Sequence, residues 1–239
     1  MNRETTGLIV LNTVRYGDSA VIIQALSPKY GRCGLIAKGV GRGRNNGRSS
    51  ALFQPLSILE AEVGENPKSS LLTLYSAYES YSYSTVRTDM YKAAISLFMC
   101  ELLYRVIKDG AREDGLFEWV KEMAGVLDRL ESNYANFHLY FAVGLCSALG
   151  FRPNDNYSDT NRIFSVESAD FSSSGNHFSE RNSLFLHRLL SLDFADCMMI
   201  PATGEQRLSF MEDMLRFLEF HSDMLLDVKS LKVLHEVLC

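Results

Sequence analysis

Cations interleaved with aromatic rings crowd the first fifty residues. Arg15 stands beside Tyr16, Lys29 beside Tyr30 with Arg32 close behind, and Lys38 leads into the run GVGRGRNNGR at 39–48, which holds Arg42, Arg44 and Arg48. Single-stranded nucleic acid presents a charged backbone and open base faces, so a protein that binds it needs cations along a groove and flat side chains to stack on. A glycine-rich loop brings backbone amides and arginine forks close to phosphates without a side-chain barrier. The residues expected to contact the polyanion are therefore Arg15, Lys29, Arg32, Lys38, Arg42, Arg44 and Arg48. Phe53, just beyond the loop, is assigned to a core in preference to a stacking role.

The charge is local. Residues 1–50 carry eight basic groups against two acidic, a net +6, and the other 189 residues carry 16 basic against 27 acidic, a net −11. A chain of 239 residues with a net charge of −5 does not coat nucleic acid with its whole surface, whereas a basic end on an acidic chain suits an anionic partner held on one side. Hydrophobic residues at 46% and charged residues at 22% are ordinary globular values. Five scattered cysteines, Cys33, Cys100, Cys146, Cys197 and Cys239, form no C-x-x-C pair and read as reduced thiols of a cytoplasmic protein. No apolar run reaches the roughly 18 residues of a membrane span, and none follows a basic start as in a leader.

Enzyme motifs do not emerge. Gly39, Gly41 and Gly43 give G-x-G-x-G, which is neither a dinucleotide fingerprint nor a P-loop, and a strand is expected after it, not a helix. The sequence has no G-x-S-x-G or H-E-x-x-H, and its five histidines are dispersed. A non-enzymatic binding protein without a cofactor is expected.

These residues need a scaffold. Segments 7–14, 20–26, 33–40, 56–63 and 70–77 are short, rich in Val, Ile, Leu or Tyr, and separated by turn residues, which predicts five strands. A five-stranded sheet hides its edges by closing, and an OB-type barrel is the closed form expected, although the pattern alone does not separate it from an SH3-like barrel. From Thr88 the period changes to that of helices, expected at 89–108, 116–130, 136–149, 184–192, 205–226 and 228–238. The fold class is α+β: a barrel domain at 1–80 and an α-helical domain at 81–239. The polar segment 154–178, rich in Ser, Asn and Asp, reads as an insertion with one strand at 162–166.

The stretch VLNTVRYGDSAVIIQALSPKYGRCGLIAKGVGR at 10–42 resembles the start of the RecO recombination mediators. LFQPLSILEAEV at 52–63, ALGFRP at 148–153 and LRFLEFHSDMLLDVKSLKVL at 215–234 resemble later parts of the same family, in the same order. The resemblance implies DNA repair and recombination. It implies binding of single- and double-stranded DNA, annealing of complementary strands, and loading of RecA together with RecR onto strands coated by single-stranded DNA-binding protein. It also implies docking of the acidic, Phe-terminated tail of that protein on the helical domain. Among the basic groups of the first two helices, Arg105, Lys121 and Arg129 are taken as the tail contacts. Many members of the family carry two C-x-x-C pairs after the ALGFRP position; residues 154–178 contain no cysteine, so no metal is expected and packing must hold the segment unless it is mobile. A generic OB-type module for single-stranded DNA or RNA, fused to a helical protein-interaction domain, is the alternative, and an enzyme with a nucleotide site on the helices is a third.

Overall fold

The computed structural model describes residues 3–40, 50–67, 69–175 and 178–238. Five strands, β1 (Arg3–Tyr16), β2 (Ala20–Ser27), β3 (Gly31–Lys38), β4 (Ile58–Gly64) and β5 (Leu72–Tyr81), close in the order β1-β2-β3-β5-β4. Every pairing is antiparallel except β3 with β5. This is the OB-type barrel. The long β1 pairs with β4 through its first half and with β2 through its second, and an irregularity between Val10 and Asn12 bends it from one partner to the other. Leu8, Val10, Ile23, Leu35, Phe53, Ala61, Val63 and Leu74 fill the barrel, so Phe53 is core.

The outer side of the barrel is not left to solvent along its whole length. Ile9, Leu11, Leu26 and Ile58 point out of the barrel and belong to the larger core of the helical part. They meet α1 (Met90–Val106), a helix apolar on nearly every side, whose Ile95, Phe98, Met99, Leu102 and Leu103 are fully buried. Asp89 caps this helix by accepting from the Tyr91 and Lys92 N–H groups. The other helices are α2 (Leu116–Arg129), α3 (Phe137–Ala148), α4 (Glu180–Ser191), α5 (Phe194–Met199), α6 (Gly204–Ser222) and α7 (Ser230–Leu238); α2, α3, α6 and α7 pack on α1, and α4 packs on α3 and α6. The six-residue α5 has no counterpart in the sequence expectations. Among the described residues no helix is long and apolar enough to cross a membrane.

The crossing from barrel to helices is clamped. The buried Asp128 carboxylate accepts the N–H groups of Ser84, Thr85 and Val86 at 3.0, 2.8 and 3.0 Å. Burial by itself would raise this carboxyl; the three backbone donors and the Thr85 hydroxyl more than offset it and hold the group below the usual carboxylate range. Beside it the buried Lys92 ammonium donates to Thr85 Oγ1 and to the Asp128 and Leu130 carbonyls. Arg87 reaches back to the Pro55 carbonyl at 2.7 Å and Ser57 Oγ at 2.9 Å, and the Tyr83 hydroxyl donates to the Leu56 carbonyl at 2.8 Å.

Segment 154–178, of which Asn176 and His177 lie outside the described residues, is packed. It forms a hairpin of β6 (Ile163–Ser165) and β7 (Asp170–Ser172), one strand more than expected. Phe164 lies edge-on to Phe171, Phe178 and Phe217, and the Asn156 amide clasps both the N–H and the carbonyl of Phe171. Asp155 meets His187 at 2.7 Å, under the Tyr157 ring. The donor set does not fit a tetrahedral zinc ion: the segment offers no thiolate, and Asp155 and His187 are spent on each other.

Candidate nucleic-acid interface

Strand register sorts the N-terminal cations by position. On the outer surface of β1, β2 and β3 the cross-strand rows are Asn12–Gln24–Gly34, Val14–Ile22–Ile36 and Tyr16–Ala20–Lys38. The last two of these rows lie beyond the region covered by the helices, and the Asn12 row borders it. Val14 and Tyr16 are 55% and 57% exposed, and Ile22 and Ile36 are half-buried. A row of aliphatic side chains flanked by an open tyrosine and a lysine gives a shallow surface on which bases can stack while a cation meets the backbone.

Arg15 points the other way, toward the barrel mouth. It lines a cleft of about 540 Å³ with Gly17, Asp18, Ala20, Val21, Val40 and Ser50. Val40 and Ser50, the described residues on either side of 41–49, both line this cleft. Arg42, Arg44 and Arg48 themselves lie outside the described residues. The structure thus brings Arg15, Lys38, Val40 and Ser50 to one end of the barrel, away from the helices.

Lys29 and Arg32 stand at the opposite end. Lys29 pairs with Glu4, which also accepts the Tyr30 hydroxyl at 2.9 Å. The Lys29 hydrogen bond, followed by that of Tyr30, holds the Glu4 carboxyl below its usual value, while burial and then Glu4 push the Tyr30 hydroxyl up to about 12. The Arg32 side chain is only 14% exposed; it meets Asp109 at 3.7 Å, lies over the Tyr104 ring at 5.0 Å, and its carbonyl accepts the Gly110 N–H. Next to it Gly31, at φ +63°, faces the Ala111 carbonyl so closely that a Cβ would stand 2.0 Å from the oxygen. This end of the barrel is fastened to the loop between α1 and α2, and Arg32 is one of the fasteners.

The three helical cations also separate. Lys121 and Arg129 share a groove of about 570 Å³ with Tyr81, Trp119, Glu118 and Glu122. Gly125 makes room for Arg129, whose Nη1 would lie 3.1 Å from a Cβ there, and Trp119 is held flat by stacking on Phe141 at 5.0 Å. Arg105 lines a different groove, between β1, α1 and α7. The exposed row Val14–Ile22–Ile36 escaped the sequence reading because 20–26, AVIIQAL, is apolar at both parities; only the register shows which residues face out.

The family models fit this architecture. The one described as Recombination protein O N terminal matches residues 1–82, and the one described as Recombination protein O C terminal matches residues 87–232. The chain belongs to the RecO family. The break between the two family matches falls in the linker that Asp128 clamps. Among curated RecO relatives, a protein named DNA repair protein RecO from Christiangramia forsetii is 28% identical over 235 residues, 97% of this chain and 98% of that one. Its namesake from Bacteroides fragilis is 32% identical over 173 residues, 72% and 71% of the two chains. That from Phocaeicola vulgatus is 34% identical over 154 residues, 64% of this chain and 63% of its own. Membership of RecO places the chain among DNA repair and recombination proteins.

Proposed function

We propose that this chain is a non-enzymatic recombination mediator that holds single- and double-stranded DNA at the far end of its barrel, anneals complementary strands, and works with RecR to load RecA onto strands coated by single-stranded DNA-binding protein. The observation that carries the reading is the gathering of Arg15 and Lys38 at one end of the barrel, beside an open aromatic and aliphatic surface. Annealing needs no bond chemistry. Two polyanions repel, and the cations gathered at the far end of the barrel screen both, so exchange between near-equal DNA states proceeds without ATP. Lys121 and Arg129, on a groove walled by Tyr81 and Trp119, offer the mixture of cation and ring that an acidic tail ending in Phe requires.

The test is a gel-shift and annealing assay on bare strands and on strands coated with single-stranded DNA-binding protein. Annealing above the buffer rate at low salt without ATP is expected, and alanine at Arg42, Arg44 and Arg48 together lowers the salt slope on single strands by about 2. Binding without any annealing would point instead to the generic OB-type module. An unchanged affinity and slope in the triple variant would remove the 41–49 run from the interface. A labelled tail peptide that binds Lys121→Ala/Arg129→Ala as well as the parent would remove the α2 groove.

A further inference from the structure

The outer surface of the barrel does not stop at Val14. Asn12, one row closer to the helices, lines a second cavity of about 330 Å³ together with Leu97, Glu101 and Arg105 of α1 and Lys229, Ser230 and Val233 at the start of α7. Two polar atoms here lack a partner among the described residues: Ser230 Oγ, on a residue 5% exposed, and Arg105 Nε. Buried polar atoms left unmatched are expensive, and a small shift of the cavity wall that lets an acceptor reach them would offset that cost. Leu97 and Val233, both exposed, supply apolar walls.

We propose that a single strand leaving the barrel face continues into this groove, where Arg105 and Lys229 hold its phosphates and the Ser230 hydroxyl donates to a phosphate oxygen. The inference rests on the barrel being the primary DNA site. One carboxylate, Glu101, lines the groove and a second, Asp227, stands beside Lys229, and both are engaged. Glu101 accepts the Ser230 N–H at 2.7 Å and meets Arg105 at 3.8 Å, and Asp227 stands 3.9 Å from Lys229. The Lys229 side chain is 77% exposed, so its contact with Asp227 is a screened surface pair that a phosphate readily displaces. Continuity favours DNA over a peptide tail as the occupant. Asn12 lies one outer row from Val14 and lines the groove together with Arg105, so a polymer crossing the barrel face meets this groove next, whereas the α2 groove is lined by none of these residues.

The experiment measures binding of the full chain to oligonucleotides of about 8 and about 24 nucleotides, one within and one beyond the usual footprint of about 4–16 nucleotides of one OB barrel. Arg105→Ala/Lys229→Ala is expected to weaken the long oligonucleotide about tenfold and to lower its salt slope by about 1.4, leaving the short one unchanged. Ser230→Ala keeps the N–H bond to Glu101, should melt no lower than the parent, and should still weaken the long oligonucleotide alone. Unchanged binding of both lengths in both variants overturns the proposal, as does equal weakening of both lengths. Loss of tail-peptide binding with DNA binding intact makes this a peptide groove and overturns it too. A control, Arg15→Ala/Lys38→Ala, weakens both lengths if the barrel reading holds. If the parent binds neither length, the barrel reading fails first and the extension with it.

Discussion

The two ends of the barrel carry the same residue types and use them in opposite ways. At the docked end Arg32 lies over Tyr104 and meets Asp109, Lys29 is paired with Glu4, and the aliphatic side chains Ile9, Leu11 and Leu26 are sealed under α1. At the far end Tyr16 and Val14 stand open, and Arg15 makes no ion pair among the described residues. Cations beside aromatics therefore do not mark a nucleic-acid site by themselves. What decides is whether the protein has already supplied the anion and covered the ring.

Substitutions should separate the two ends. The largest effect belongs to the clamp at the docked end: Asp128→Ala strands the N–H groups of Ser84, Thr85 and Val86, the last of them buried, and takes an acceptor from the Thr85 hydroxyl. It should cost about 3 kcal/mol or more, read as a drop in Tm of about 6–12 °C. The same carboxyl sets a pH dependence. Its folded pKa is lowered, so its contribution is complete above the unfolded value of about 4 and is lost as pH falls through the folded pKa. Acid unfolding of Asp128→Asn should accordingly show a flatter approach at low pH than the parent. Next in size, Tyr16→Ala at the far end should leave the melt unchanged and weaken single-strand binding by about 1–3 kcal/mol, measured by titration. Arg32→Ala should do the reverse, lowering stability by about 1–2 kcal/mol through its lost packing and pairing while oligonucleotide affinity stays level. Lys29→Ala should be smallest, near 0–1 kcal/mol in stability, because an exposed pair with Glu4 contributes little. DNA affinity that follows Arg32 and Lys29 more than Tyr16 would erase the contrast between the ends.

Much of this was readable in the chain. The five strand segments, the change of period near Thr88 and the Gly150 helix end are local signals, and the structure places elements there within a few residues. The hairpin within 154–178 was half visible, since Ile163 and Phe164 suggested a strand while Asp170 and Ser172 masked its partner. The short α5 lies too close to α4 to show a helical period of its own. The candidate site was harder. Arg15 and Arg32 look alike in sequence, and only the approach of Asp109 and Tyr104 from a segment more than seventy residues away separates them. Lys121 and Arg129 are eight positions apart yet share a groove, and Arg105 is paired by the fold with Lys229 instead.

Dividing the chain at the linker would not yield two independent modules. A barrel released at 81 would carry Ile9, Leu11, Leu26 and Ile58 naked on its surface, and their lost burial is worth about 6–12 kcal/mol. Expressed alone, such a fragment should clump or cling to chaperones, and a helical fragment missing those four side chains should melt early or not fold. The orientation of the barrel's open end is for that reason built into the hydrophobic interior, as a lens is ground into its mount, and no hinge stands between the surface proposed to meet DNA and the helices behind it.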